Sequence, residues 1–218
     1  MTSLGPELNQ ISSESGFWVS ARADFIAHCP DEGTRFTLPL KRLYILLFSS
    51  GFHLCALYRI GRLCHRWHIP VFPLLVEKII CHWYQCYIPC EMQAGAGLWF
   101  PHPVGIVIAP NTVLGTGISI FQHVQIVGTG RASGPNRVGD GVSLGACCMI
   151  TGRSIGAFAS IGARAMVTHD VPADSVAVGF PAVARPADQL LRQQRRIVLE
   201  YRLGRVKNTI LPGNVAGS

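Results

Sequence analysis

Of the eight histidines in the chain, His102 stands in the setting best suited to chemistry. It lies between Pro101 and Pro103, and two prolines around one residue interrupt regular structure and shape an exposed turn. An imidazole titrates near neutrality, so His102 on such a turn is a candidate proton-transfer group rather than core filling. His123 lies midway between Ile120 and Ile126 and is expected to face outward from the element those two anchor. His65 and His68 share a helical spacing that could serve zinc, but no cysteine or acid accompanies them in a ligand pattern. His28, His53, His82 and His169 are scattered, and no metal site is expected. Cys147 and Cys148 suggest a thiol nucleophile, yet no Cys–His pairing can be read from spacing; they are read as buried or half-buried small residues.

Composition removes several function classes. Eight cysteines without a CxxC, two of them adjacent, and no signal peptide at the start of the chain imply free thiols in a reducing compartment, hence a cytoplasmic protein. Lys plus Arg is 19 against 12 for Asp plus Glu, a net charge of +7, which suits an anionic ligand. Seven of those cations fall between Arg185 and Lys207. With no zinc-finger spacing, RNP-like strand or interleaved aromatics, this basic stretch reads as the solvated face of a terminal helix, and no nucleic-acid partner is expected. The apolar stretch from Leu38 to Leu57 is interrupted by Lys41, Arg42 and His53. It is too broken to span a bilayer, and a buried helix is favoured over contact with a membrane surface.

These residues need elements to position them. Residues 1–36 are punctuated by Pro6, Gly16, Pro30 and Gly33 and can hold at most short helices. From Leu38 to about Tyr87, apolar residues recur at three- to four-residue spacing, predicting two or three helices with a break between Ile69 and Pro73. Gly95 to Gly179 then holds fifteen of the 23 glycines. Aliphatic residues recur there every six positions: Ile108, Leu114, Ile120 and Ile126; Val138, Leu144 and Ile150; Ile155, Ile161 and Val167. A period of six is neither a helix nor simple alternation. It fits a short strand plus a corner, three of which make one turn of a triangular parallel β-solenoid with aliphatics stacked inside. The stretch Gly128 to Arg137 lacks an inward residue and should loop out, while the five-residue step from Ile150 to Ile155 is a slip in the repeat. Exposed solenoid ends need caps, for which the helical block (1–87) and a helix over Ala187 to Leu203, in the segment 187–218, flank the solenoid (88–186). That last helix can cover the far end or pack along the side.

The repeats, together with GLWFPHPVGIVIAPNTVLG, ISIFQHVQIVGTG and VPADSVAVGFPAVARP, resemble the serine O-acetyltransferase family of left-handed β-helix acyltransferases over roughly Leu38 to Pro186. The resemblance implies a homotrimer with active sites in clefts between adjacent coils, an acetyl-CoA donor, a small hydroxyl acceptor, usually L-serine, and no metal. It makes His102 the general base. It assigns Gly128, Thr129, Gly130 and Arg131 to the glycine-rich donor loop, and Arg131 and Arg137 to the CoA phosphates through charge-assisted bonds. Gly145, Ala146 and Ala163 would let the cofactor arm lie against the coil, and Gly179 with Pro181 would stand near its adenine end.

The acceptor side departs from the family. Tyr87 stands where the family has an aspartate that supports the histidine, Pro101 where many members have an acid, and Pro135, within Ser133 to Arg137, where a second histidine would grip the acceptor. Tyr87, Glu91 and His123 are the residues that could substitute. Three readings follow: a serine O-acetyltransferase using this alternative support, an acyltransferase acting on a different amino acid, amine or sugar, or a non-catalytic trimeric scaffold.

Overall fold

A computed structural model describes residues 16–29, 43, 45–128, 135–151 and 153–205. Thr129, Gly130 and Arg131 of the donor-loop expectation, the region before Gly16, Leu38 to Arg42, and Lys207 lie outside the described residues.

Helix α1 (Phe17–Ala27) is followed by α2 (Ser50–Arg66) and α3 (Phe72–Tyr84). Ser49 caps α2 by accepting the Phe52 N–H (3.3 Å). The predicted break falls between Trp67 and Val71, and α3 restarts with Pro73 in its first turn, where a missing N–H costs nothing.

The solenoid has three faces. β1 (Gln93–Ala94), β3 (Val113–Leu114), β6 (Arg137–Val138) and β9 (Ser154–Ile155) make the first sheet. β2 (Val107–Ile108), β5 (Gln125–Val127), β8 (Met149–Thr151) and β11 (Met166–Val167) make the second. β4 (Ser119–Ile120), β7 (Ser143–Leu144), β10 (Ser160–Ile161), β12 (Ser175–Gly179) and β13 (Ala182–Pro186) make the third. All pairs are parallel except β12–β13, an antiparallel hairpin that closes the far end and that the repeat did not foretell. The inward columns are Ala94–Leu114–Val138–Ile155, Ile108–Ile126–Ile150–Val167 and Ile120–Leu144–Ile161–Ala177, all buried. Each apolar residue every six positions therefore stacks on its equivalent one coil away, removing it from water.

Two irregularities resolve on this frame. Val138 pairs with Ile155 and Ile150 with Val167, so the five-residue step shortens one corner and leaves the register intact. β3 pairs with β6 across the segment after Val127, so the coil continues around that insertion.

The near end is capped by Leu54, Cys55, Tyr58, Val76 and Ile80 of α2 and α3, which share one core with the solenoid. A buried ion pair fixes the cap. Arg59 Nε donates to Asp24 Oδ2 of α1 (2.9 Å), its guanidinium also donates to the Ala94 and Gly95 carbonyls (2.8 and 2.5 Å), and Asp24 accepts the Leu98 N–H (2.8 Å).

Helix α4 (Gln189–Arg202), capped by Asp188 through the Leu191 N–H (2.7 Å), packs along the side rather than over the far end. It lies on a corner formed by Gly97, Gly117, Gly141, Phe158 and Asp174, all with positive φ. At Gly117 this matters doubly, because a Cβ would fall 2.1 Å from Leu199 Cδ1. Two of its arginines are not on a solvated face, contrary to expectation. Arg195 donates to the Phe158 carbonyl; Arg202 is buried, donates to Ser119 Oγ (2.7 Å) and sits 4.5 Å above the Trp99 ring, and burial lowers its pKa to about 10. Arg196 remains exposed and pairs with Asp174 (3.0 Å).

Candidate functional site

Trp99 bridges Ser119 and Val107 pairs with Gln125, so the first coil takes eight residues where the next takes six. The two extra residues fall in Pro101 to Val104 and push that corner out of the stack. His102 is carried on the bulge, exposed, with its carbonyl accepting the Val104 N–H (2.9 Å) to tighten the turn around Pro103. The prolines thus act as the sequence suggested, holding an imidazole in water.

One coil above, His123 adopts φ 55 at the equivalent corner, and its N–H donates to the Val104 carbonyl (2.9 Å). Its ring lies over Gly105, where an added Cβ would fall 2.1 Å from His123 Nδ1. Gly105 itself has φ +65. Gly105→Ala is therefore expected to destabilise the fold by about 1–2 kcal/mol through its left-handed backbone and to swing the His123 imidazole away. A Tm measurement checks the first effect and the His123 ring resonance the second; an unmoved resonance would refute the contact.

The same edge continues upward. Cys147 N–H donates to the Gln122 carbonyl and Arg164 N–H to the Ala146 carbonyl (2.9 and 2.8 Å), stacking Gly145 and Ala146 beneath Gly162 and Ala163, with Gly179 following one coil on. A Cβ on Gly145 would meet Ala163 N at 2.7 Å, so the coils approach too closely there for any other residue. His102, His123, Gly145, Ala146, Ala163 and Gly179 share one edge of the prism, and Pro181 lies in the turn joining β12 to β13. Cys147, expected to be at least half-buried, is exposed because its left-handed corner (φ 61) turns it outward. Cys148 is buried, and burial raises its pKa to about 12, which keeps it a thiol.

The remaining residues lie elsewhere. Gly128 leaves β5 exposed, with nothing within 4 Å of an added Cβ, and Arg137 is exposed at the start of β6. Glu91 is exposed on the corner leading into β1, its carbonyl accepting from Arg62 Nη1 (3.0 Å). These three belong to a second edge and are not brought to His102 within one chain. Tyr87 is 45% exposed on the face between the two edges, bridged to Val107.

A cleft of about 420 Å³ adjoins His102, lined by Ser50, Trp83, Tyr84, Gln85, Pro101, Pro103 and Val104. Sequence reasoning missed Trp83 and Tyr84, although the run His82-Trp83-Tyr84 closing the last helix before the solenoid was the available signal. Partial burial raises the Tyr84 pKa, helped by Cys86, so its phenol stays a neutral hydrogen-bonding group. Among the described residues lining it there is no Asp, Glu, Lys or Arg.

No protein-family model matches the sequence. The chain is 34% identical over 140 residues to serine acetyltransferase 2 of Arabidopsis thaliana, covering 63% of this chain and 43% of that protein. It is 32% identical over 161 residues to the serine acetyltransferase of Haemophilus influenzae, covering 72% of this chain and 60% of that one. It thus spans about half the length of the curated relatives it matches. Among solved structures it resembles soybean serine acetyltransferase complexed with serine, with a TM-score of 0.67 and 31% identity, covering 81% of this chain and 72% of that chain. The solenoid is accordingly a left-handed parallel β-helix, and the chain belongs to the serine O-acetyltransferase family of hexapeptide-repeat acyltransferases.

Proposed function

We propose that this protein transfers an acetyl group from acetyl-CoA to the hydroxyl of L-serine or a related small acceptor. The observation that carries the reading is the placement of His102, exposed on a two-residue bulge at the foot of an edge surfaced by Gly145, Ala146, Ala163 and Gly179. A hydroxyl is a poor nucleophile at neutral pH, and an imidazole within hydrogen-bond reach can take its proton as the oxygen attacks the thioester carbonyl. The C–O bond forms, the C–S bond breaks, and the proton held on His102 passes to the departing sulfur, giving free CoA thiol and restoring the neutral base. A backbone N–H directed at the carbonyl oxygen would steady the oxyanion. The small residues of the edge leave room for the thin pantetheine arm, and Arg137, with Arg131, offers cations to the phosphates.

The two edges suggest a homotrimer. Gly128 and Arg137 stand on a different corner from His102, so a threefold assembly that sets the loop corner of one protomer against the histidine edge of the next would complete the site.

The uncharged cleft beside His102 favours a second reading, an acceptor other than free serine. A zwitterionic amino acid needs counter-charges, and Trp83, Tyr84, Gln85 and the two prolines supply none. The test is thiol release from acetyl-CoA with L-serine and with a panel of amino acids, amines and sugars. Turnover with serine supports the first reading; turnover with another acceptor alone supports the second. Silence throughout, from a folded oligomer, would leave a scaffold and refute both.

A further inference from the structure

The connection between α2 and α3 forms a tip whose apolar side chains face solvent. Trp67, Val71 and Leu74 are 68%, 73% and 63% exposed, and Ile69, Phe72 and Leu75 are exposed beside them. The backbone holds them there under strain. Phe72 N–H donates to the Pro70 carbonyl (2.8 Å) around Val71 at φ 68, ψ −38, a γ-turn of the rare hand. A β-branched residue in that region is a genuine outlier, and such outliers gather where function maintains them. His68, at φ 55, is a second left-handed residue in the same turn.

Basic residues outnumber acids in the sequence around the tip. Between Arg62 and His82 the chain carries Arg62, Arg66 and Lys78 against a single acid, Glu77; Arg62 turns to the solenoid, donating to the Glu91 carbonyl (3.0 Å), while Arg66 and Lys78 are exposed. Glu77 accepts the Cys90 N–H (2.7 Å), drawing it toward the solenoid. Exposed aliphatics at an apex, tryptophan at its margin and cations behind it match the three layers of a membrane interface: acyl chains, the headgroup boundary and phosphates. Among the described residues no helix is long and apolar enough to cross a membrane, so the match is to lying on a bilayer. A second copy of the tip would satisfy the aliphatics but would bring like charges together.

We infer that the α2–α3 tip docks the protein on an anionic lipid surface. Helix α3 then becomes a spacer: its thirteen residues run roughly 20 Å from Phe72 at the tip to Tyr84 beside His102, setting the cleft at about that height above the headgroups.

Co-sedimentation of the full chain with vesicles tests this, using phosphatidylglycerol mixed with phosphatidylcholine against phosphatidylcholine alone. Wild type should pellet with the anionic vesicles and much less with the neutral ones. The double variant V71S/L74S, which alters only exposed side chains, should weaken binding about tenfold or more, and K78E about fivefold or more, both keeping the wild-type Tm. Absence of vesicle binding, or equal binding to both lipids, would overturn the inference. So would a fall in oligomer mass by light scattering in V71S/L74S with vesicle binding unchanged, which would make the tip a contact between copies. None of these readouts depends on acetyl transfer.

Discussion

His102→Ala is expected to lower kcat for acetyl transfer by roughly 10²- to 10⁴-fold, the usual contribution of a positioned general base, while leaving CoA affinity within about twofold and Tm unchanged. The separation follows from geometry. His102 is exposed on a bulge outside the stack, so its removal opens no cavity and leaves no buried polar group unpaired. The small-residue edge at Gly145, Ala146 and Ala163 begins a coil or more away and keeps its shape. Thiol release measures the rate, calorimetric titration with CoA the affinity. Unchanged turnover would sink the assignment of the base; loss of CoA binding in step with activity would move His102 from proton transfer to donor binding.

Arg59→Ala should be the most damaging single change to stability, at about 3–5 kcal/mol, or on the order of 10 °C in Tm for a chain of this size. Asp24 is 1% exposed and Arg59 is 7% exposed. Burial opposes the Arg59 charge, yet the Asp24 carboxylate and its hydrogen bonds hold the guanidinium pKa above its ordinary value. Removing the arginine strands a buried carboxylate and also takes donors from the Ala94 and Gly95 carbonyls. The double variant D24L/R59M should recover much of the loss, because neither charge is then left alone. Thermal unfolding of the single and double variants decides it: equal Tm for wild type and Arg59→Ala would mean that the pair contributes nothing net.

The solenoid could be read from the sequence because its constraint is local and repeated. Ile108, Leu114, Ile120 and Ile126 each point inward for the same reason at the same interval, and a period of six admits few other folds. His102 was legible because two prolines announce an interrupted corner. The cleft beside it was not, since Trp83 and Tyr84 meet Pro101 and Pro103 only through the packing of α3 on the first coil, which no spacing encodes. Nor was the fate of Arg195 and Arg202. Charged residues belong in water by default, and only the course of α4 along the corner, where the Phe158 and Gly117 carbonyls accept from Arg195 and Arg202, turns two of them inward. The slip at Ile150 to Ile155 reads as a defect in a one-dimensional pattern, yet in three dimensions it is a shorter corner between strands that still align.

The course of α4 also bears on the number of coils. A solenoid has no intrinsic length, and its coils could fray one after another from either end. Here Arg196 grips Asp174 in the last coil while Arg202 reaches Gly117 and Trp99 near the first. The helix's fourteen residues, roughly 21 Å, match the four strand spacings from Gly97 to Asp174, about 19 Å. The helix works as a molecular ruler. A chain with one more repeat would outrun it by nearly a turn, so this architecture resists the duplication of single coils by which solenoids ordinarily grow, and it makes opening of the far end felt at the near one.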